Sequence, residues 1–507
     1  MEAVPQPMIN DLLGQISADP QLPRPNPTSA FWQLPPHPTI SQVQSSSLPQ
    51  SADYVIIGSG ITACSVAAHL LTNPDFPKSA HVTVLEARTL CSGATGRNGG
   101  ALTSWVPLAF TDLIAQYGQE EAIKIGRYAF RTLSKMHDLG NSRPEFKDAS
   151  EVRRLRDVLA FVDAEAFEGA KLSFQKYEDL IGKEYSLNSE VLTAQETHEH
   201  YNMTNVAGAL LVDCGAYWPY RLITALWADL LKTYSKQLSI ETNTPAQSVT
   251  FDPNTSTYTI TTPNGTITTP NVIHATNGYT GHLLPALRGK IHPLRGTMST
   301  QHPPLGFGHY GTERAWSISH APRYDTETKQ FEAGLYYANQ NPKSQDVFIG
   351  GEKVLLTEIF VTDDTEVREE ARRNIEGILP RYFDKKGLTK EKQEQEPEIR
   401  KVWSGIMGFT SDGMPLVGKV PHTISQRKPD SDEIGSGGEW IAAGFNGYGM
   451  PQCWSVGEAV AKMILGKYET EVKDWLPDAC LITEKRLAKM SAEASLAHLT
   501  GIKVRRC

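Results

Sequence analysis

The sequence has no cysteine framework. Its six cysteines (Cys64, Cys91, Cys214, Cys453, Cys480 and Cys507) are scattered over 507 residues without a Cys-x-x-Cys pair, so neither a disulfide scaffold nor a metal site is expected. Long apolar runs are missing as well: no stretch approaches the ~18 apolar residues of a membrane span. The N-terminal MEAVPQPMINDLLGQ has no basic segment followed by an apolar core, and the final Arg-Arg-Cys is not a peroxisomal address. These absences make a cytoplasmic protein without a membrane partner the expectation. Positive charge is in deficit, with 49 Lys and Arg against 57 Asp and Glu and a net charge of −8. Without a basic stripe, nucleic acid is not an expected partner. The basic run Lys503-Val504-Arg505-Arg506 is too short to change that.

Apolar content of 40% is ample for a large core, and the length suggests roughly two to four domains. Residues 1–50 are rich in Pro, Ser and Gln and should build no core of their own. Phe31-Trp32, followed by Leu34-Pro35-Pro36-His37-Pro38, nevertheless offers large apolar groups that could clamp this arm onto the globule. We expect it to be docked.

The most informative segment is YVIIGSGITACSVA, Tyr54 to Ala67, followed by Val82-Thr83-Val84-Leu85-Glu86. An apolar β-type run breaks at Gly58-Ser59-Gly60 and gives way to small residues of helical character, beginning Ile61-Thr62. A second β-type run ends in an acid. Gly58 permits the tight turn, Gly60 lets the backbone approach a pyrophosphate, and the helix N-terminus presents free N–H groups to the anion. Glu86 is placed to accept from a ribose. Ala63 takes the place of the third glycine, and the loop around Asp75, Phe76 and Pro77 explains why Glu86 comes later than the usual spacing. A lone Gly-x-Gly turn is common in α/β proteins; here strand, turn, helix, strand and acid follow in order.

The next residues, Ala87 to Leu102 (ARTLCSGATGRNGGAL), resemble the loop of the D-amino acid oxidase superfamily of FAD enzymes, and within it the branch with GRNGG-type loops that includes γ-glutamylputrescine oxidases and fungal amine-oxidase-like proteins. Three further stretches carry the same resemblance: Asn271 to Gly278 (NVIHATNG), Trp403 to Gly418 (WSGIMGFTSDGMPLVG), and Gly444 to Pro451 (GFNGYGMP) with the small-residue helix 455–465. It covers about residues 51–470. It implies an α/β fold with a Rossmann-like FAD-binding domain of glutathione reductase type and a mixed-sheet α+β substrate domain. The cofactor-binding residues it implies are Gly58, Ser59, Gly60, Ile61, Thr62, Glu86, Ala87, Arg88, Ser92, Gly93, Ala94, Thr95, Arg97, Asn98, Gly99, Gly100, Ala246, Ala275, Thr276, Asn277, Gly278, Gly408, Asn446, Gly447, Tyr448, Gly449 and Met450. The loop glycines would let the main chain lie flat against a ring system.

Along the chain, the FAD-binding part is expected to be discontinuous, over 51–112, 200–290 and 401–470, with a substrate domain over 113–199 and 291–400 and a helical tail over 471–507. Helices are expected at 120–139, 163–171, 221–234 and 364–379, and Pro263-Asn264-Gly265 signals a hairpin.

Flavin oxidation needs position and field more than an acid–base triad. Tyr337, Trp403 and Tyr448 are the candidate pocket aromatics, with Trp105. His274 and His292 are candidate bases, with a structural role favoured for each. Amino-acid oxidases of the superfamily hold the carboxylate with an arginine on a substrate-domain strand; Tyr336-Tyr337-Ala338-Asn339 has none, and Arg295 is the possible substitute. The oxygen-activating lysine of sarcosine-oxidase-like members has no counterpart between Ile291 and His309. Positions that attach flavin covalently in relatives carry Ile406, Met407 and Gly408, or Arg97, so noncovalent FAD is expected. The function expected is oxidation of a C–N bond of an amine or amino-acid-like small molecule, with O2 or another acceptor. Two readings stand beside it: tailoring of a natural product by oxidative cyclisation or desaturation, and flavin binding without turnover.

Overall fold

The computed structural model describes residues 4–304, 306–384, 396–428 and 437–502. Two large sheets organise it. The first has six strands in the order Leu416–Lys419, Gly438–Ala443, Asn271–His274, Tyr54–Ile57, Val82–Leu85, Leu238–Glu241. All neighbours are parallel except the first pair. Val55, Ile56 and Ile57 are all buried, as a strand covered on both faces requires. Ile56 faces the helices Ile61–Leu71, Pro219–Thr233 and Gly449–Ile464. Val55 and Ile57 face a three-stranded antiparallel sheet, Ser248–Asp252, Thr257–Thr262 and Gly265–Thr269, whose hairpin turns at Pro263-Asn264-Gly265. The small residues of the first helix let another helix come close: a Cβ on Gly457 would lie 2.5 Å from Ser65 Cβ.

The second sheet has nine strands. Eight follow the order Glu398–Thr410, Ile291–His302, Val347–Gly351, Leu335–Gln340, Arg314–Ser319, Arg153–Phe161, Gly208–Ala216, Ala101–Leu102, and Glu190–Thr193 also pairs with Gly208–Ala216. One face, with Leu159, Val212, Met298, Phe348 and Trp403, joins the core of the dinucleotide half. The other, with Val158, Leu211, Trp316, Tyr336 and Ile349, packs on Ile375 and Ile378. The sheet therefore roofs the dinucleotide half.

Several expectations are corrected. The range 113–199, in which only helices are expected, contains the strand Arg153–Phe161. Gly208–Ala216 and Glu398–Thr410 belong to the nine-stranded sheet, so the ranges 200–290 and 401–470 each open with residues of the roof. The helix expected at 163–171 runs Ala164–Tyr185, because Phe167, Phe174, Tyr177 and Ile181 continue its buried stripe. The helix expected at 364–379 is Glu369–Glu376, followed after Gly377 by Ile378–Tyr382, because the Asp364 main chain and side chain are engaged elsewhere. The helical tail packs into the globule: Leu496 of Ala492–Thr500 is buried in one cluster with Ile9, Leu12 and Ile16 of Gln6–Ser17. The basic run at 503–506 lies outside the described residues.

Candidate active site

The strand Tyr54–Ile57 ends at Gly58 with φ +108°, and a Cβ there would lie 2.6 Å from the Ala275 carbonyl oxygen. Glycine is thus required twice over, by conformation and by the neighbouring strand end. A Cβ on Gly60 would press on Thr95 Oγ1 at 2.8 Å, and that hydroxyl accepts from the Ile61 N–H at 3.0 Å. The helix opening at Ile61 and Thr62 takes no side-chain cap from Gly60, the residue before it. Glu86, at the end of the second strand, accepts from the Ser59 N–H (3.1 Å) and hydroxyl (2.6 Å) and from the Arg88 N–H (2.9 Å). Ala246 is buried against the same strand ends, in one cluster with Val55, Ile57 and Leu85.

What the cradle leaves unpaired suits an anionic, hydroxyl-rich ligand. Ser92 Oγ, Arg88 Nε and Tyr279 Oη are buried without a partner, and an orphaned buried group costs about 1–3 kcal/mol. Charge points the same way. Arg88 Nη1 lies 2.9 Å from Asp364 Oδ2, and Arg97 Nε lies 3.7 Å from the same oxygen, so two buried guanidiniums share one carboxylate. Burial, with repulsion from Arg88, brings Arg97 down to about 10 despite Asp364. The N-terminal turn of the helix Ile61–Leu71 and the surplus positive charge fit a pyrophosphate.

The loop from Ala87 to Gly100 packs more closely than the resemblance implies. Asn98 staples it: its side-chain amide donates to the carbonyls of Ala94 (3.0 Å) and Thr95 (2.7 Å) and accepts from Gly100 N–H (2.7 Å). Gly93 has open space, whereas a Cβ on Gly99 would meet the Tyr337 ring at 2.2 Å and one on Gly100 the Trp32 ring at 3.1 Å. Trp32 stacks on Phe348 at 3.8 Å between centroids, and its indole N–H donates to the Asn98 carbonyl. The N-terminal arm is therefore docked along this loop. Thr28 Oγ1 accepts from Arg97 Nη1 (3.2 Å) and the Ser404 N–H (3.0 Å), and Gln33 Nε2 donates to the Gly96 carbonyl (3.0 Å). The sequence gives the aromatic pair of this arm but not its partners.

The remaining segments close the site from the other side. Asn277 Oδ1 accepts from Gly444 N–H at 3.1 Å, and the Asn446 N–H donates to the Gly408 carbonyl at 2.9 Å. Gly408 and Gly278 press together so that a Cβ on either would strike the facing backbone, with Ala275 and Thr276 leading into that contact. Gly447, Tyr448, Gly449 and Met450 turn into the helix Gly449–Ile464, which also lacks a side-chain cap. Gly100 and Met450 are linked through Tyr217, whose N–H donates to the Gly100 carbonyl and whose hydroxyl donates to the Met450 carbonyl at 3.4 Å.

Above lies the sheet. Tyr337 donates to Met298 Sδ (3.3 Å) and Asn339 Nδ2 to the Gly99 carbonyl (2.6 Å). Burial, then Asp157, pushes the Tyr448 hydroxyl up to about 12. Tyr448 and Trp105 line a narrow crevice with Tyr128, Met414 and Gln452. Trp403 is fully buried and donates to the Arg97 carbonyl at 2.9 Å, which anchors the loop from above. Arg295 is three residues from Met298 and so on the opposite face. It donates to Glu358 Oε2 and the Asp363 carbonyl, both at 3.2 Å, a structural engagement away from Tyr337. His274 pairs with buried Glu439 at 2.8 Å, and burial brings His292 down to about 3; neither faces the loop as a base. The sequence reading passes over Asp157, Ser317, Asp364 and Tyr279. The one signal for Asp157 is the alternation of Leu155, Asp157, Leu159 and Phe161 on one strand face, with a charge where an apolar residue belongs, and Arg153, Arg154 and Arg156 beside it mask that signal.

Solved structures share this architecture. L-proline dehydrogenase from P. horikoshii superposes with a TM-score of 0.57 at 19% identity, over 85% of this chain and 98% of that one. Glycine oxidase from Geobacillus kaustophilus gives 0.56 at 17%, over 82% and 95%, and NikD, an unusual amino acid oxidase essential for nikkomycin biosynthesis, gives 0.57 at 16%, over 84% and 98%. A curated relative, the putative oxidoreductase TDA3 of Saccharomyces cerevisiae, is 37% identical over 81 residues, 15% of this chain and 16% of that protein's length. Among the described residues no helix is long and apolar enough to cross a membrane. With the FAD dependent oxidoreductase (DAO) model matching residues 53–463, the chain belongs to that family and is an FAD-dependent oxidoreductase.

Proposed function

We propose that this enzyme oxidises the C–N bond of an amine to an imine, with hydride transfer to flavin N5 and O2 as the final acceptor. When bound, the flavin supplies the two-electron acceptor; the protein supplies position, shape and field. The uncapped N-terminus of Gly449–Ile464 would set roughly half a positive charge against the reduced ring, and Pro451 in its first turn costs no hydrogen bond there.

One observation carries the choice of amine over amino acid: the arginines around the roof are committed. Arg97 donates to the Ser92 (2.8 Å) and Ser404 (2.9 Å) carbonyls, Arg153 to those of Gly311 (2.6 Å) and Gln340 (3.0 Å), and Arg295 lies on the other face. Among the described residues, the Tyr337 face thus has no free fork for a carboxylate, and burying one unpaired costs several kcal/mol. Glycine oxidase and L-proline dehydrogenase, by their names, oxidise or dehydrogenate amino acids within the same fold, which supports an amine or amino-acid-like substrate class and leaves the choice between the two to this chain's own residues. A second reading, oxidative tailoring of a larger natural product, is supported by the fold shared with NikD, by its title an unusual amino acid oxidase essential for nikkomycin biosynthesis.

The test is anaerobic mixing of the yellow protein with matched amine and α-amino acid pairs, such as benzylamine and phenylglycine. Amines should bleach the flavin with the larger kcat/KM, and admitting air should restore colour and release peroxide. Preference for the amino acid, abolished by Arg295→Ala or Arg97→Ala, would sink the amine assignment. Bleaching by neither would turn the reading toward the larger substrate.

A further inference from the structure

We propose that Asp157 is the substrate-amine residue of this site: it holds an ammonium group beneath the nine-stranded sheet, beside Tyr448, and accepts its proton. The proposal deepens the amine reading above and rests on it.

Asp157 stands in the middle of Arg153–Phe161, beside Val212 on one neighbouring strand and Ala315 on the other. It is 4% exposed. Its Oδ2 accepts from Ser317 Oγ at 2.8 Å, and Oδ1 is buried without a partner. Among the described residues, no ion pair reaches it. A carboxylate so placed is costly unless a cation meets it. The groups that face it are neutral: the Cys214 thiol of the adjacent strand and the Tyr448 hydroxyl, both raised by burial and then by the Asp157 charge. Tyr337 completes the surround, raised by burial, then by Tyr448 and by the buried Glu352 carboxyl, which burial itself pushes up to about 7. Burial pushes Asp157 itself up to about 6, with the Ser317 hydroxyl pulling the other way. It is therefore ionised at neutral pH yet a good enough base to take a proton back.

These features describe a receptor for one positive charge in an aromatic setting, where a carboxylate-bearing substrate would meet repulsion. An N–H bond of the ammonium breaks and an O–H bond forms on Oδ1, freeing the nitrogen lone pair. That pair is then available to form the C=N bond as hydride leaves the neighbouring carbon; the two-electron acceptor would be the flavin, when bound.

The test uses the holoenzyme with benzylamine and butylamine, and benzyl alcohol as the neutral control. Thermal stabilisation by the amines should strengthen as pH rises through about 6, where Asp157 ionises. In Asp157→Asn the amines should bind at least about tenfold more weakly, as loss of a charge-assisted hydrogen bond implies, and the pH dependence should flatten. Flavin content and stabilisation by benzyl alcohol should stay as in the wild type. Ser317→Ala, which keeps the carboxylate, should move the acid limb to higher pH and serves if Asp157→Asn fails to fold. Unchanged amine binding and an unchanged limb in these variants would overturn the proposal, as would a wild type that neither amine stabilises. The two readings fail differently. Equal bleaching of wild type and Asp157→Asn removes the role of Asp157 and leaves amine oxidation standing; Asp157-dependent stabilisation without bleaching by any amine removes the oxidation.

Discussion

Glu86 links sequence motif to folded turn. Its three hydrogen bonds from Ser59 and Arg88 make it a staple of the phosphate-type turn as well as the expected ribose acceptor. Glu86→Ala should weaken FAD binding at least about tenfold, since each bond to a charged group contributes roughly 1.5–3 kcal/mol, and should lower the melting temperature of the apoprotein. Fluorescence titration of apoprotein with FAD checks the first effect; unchanged affinity with lower stability would leave Glu86 as a staple alone. His292 makes a second prediction. Its ring lies against Phe360 and Phe409 with both nitrogens unpartnered, and burial, then His498, brings it to about 3 from 6.5. Between those values the unfolded chain binds the extra proton, so this site erodes stability as pH falls below about 6.5 and costs nothing above it. In His292→Phe, the urea midpoint at pH 5 should rise relative to wild type, and the gap between pH 7.5 and pH 5 should narrow. At this scale the glycine turns and Glu86 were legible because backbone geometry demands particular residues. Asp157 was not, because Arg153, Arg154 and Arg156 around it make the segment read as a solvated charge run.

Among the elements, the N-terminal arm is the one whose placement composition alone could not give. Phe31 and Trp32 announced an apolar anchor, but the anchor's seat is built from distant segments: Phe348, Trp218 and the Asn98 carbonyl. Trp32→Ala should therefore cost about 3–5 kcal/mol, as for a large core aromatic, and should loosen the 87–100 loop. Denaturant unfolding measures the first and proteolysis near the loop the second; a loss below 1 kcal/mol would mean that the arm is dispensable. Helices with a continuous stripe were readable to within a few residues, as in Gln119–Asn141 and Pro219–Thr233. The helix near Asp364 was misplaced because two long-range demands, the ion pair with Arg88 and the Thr28 hydrogen bond to its carbonyl, override local propensity there.

For the whole molecule, the order of motifs announced the dinucleotide half, whereas the roof sheet draws its strands from segments scattered between Ala101 and Thr410; no local period announces such an assembly. That assembly also decides how the cofactor is held. The positions at which the resemblance places a covalent link are Ile406, Met407 and Gly408, the last two packed against Asn277 and Gly278, and Arg97, fixed by two carbonyls. The nearest thiols offer no nucleophile. Cys91 is buried and donates to the Ser59 carbonyl at 3.1 Å; burial pushes its thiol well up, and that of Cys453 up to about 12. Thiolate is the reactive form, and at neutral pH these sites hold almost none. FAD should accordingly be bound without a covalent bond: acid precipitation should leave all the yellow colour in the supernatant and the protein at its sequence mass. Flavin retained on the pellet, with a flavin-sized mass increment on a peptide containing Cys91 or Cys453, would show instead that the bound ring lowers the pKa of a thiol that the surrounding apolar core otherwise keeps protonated.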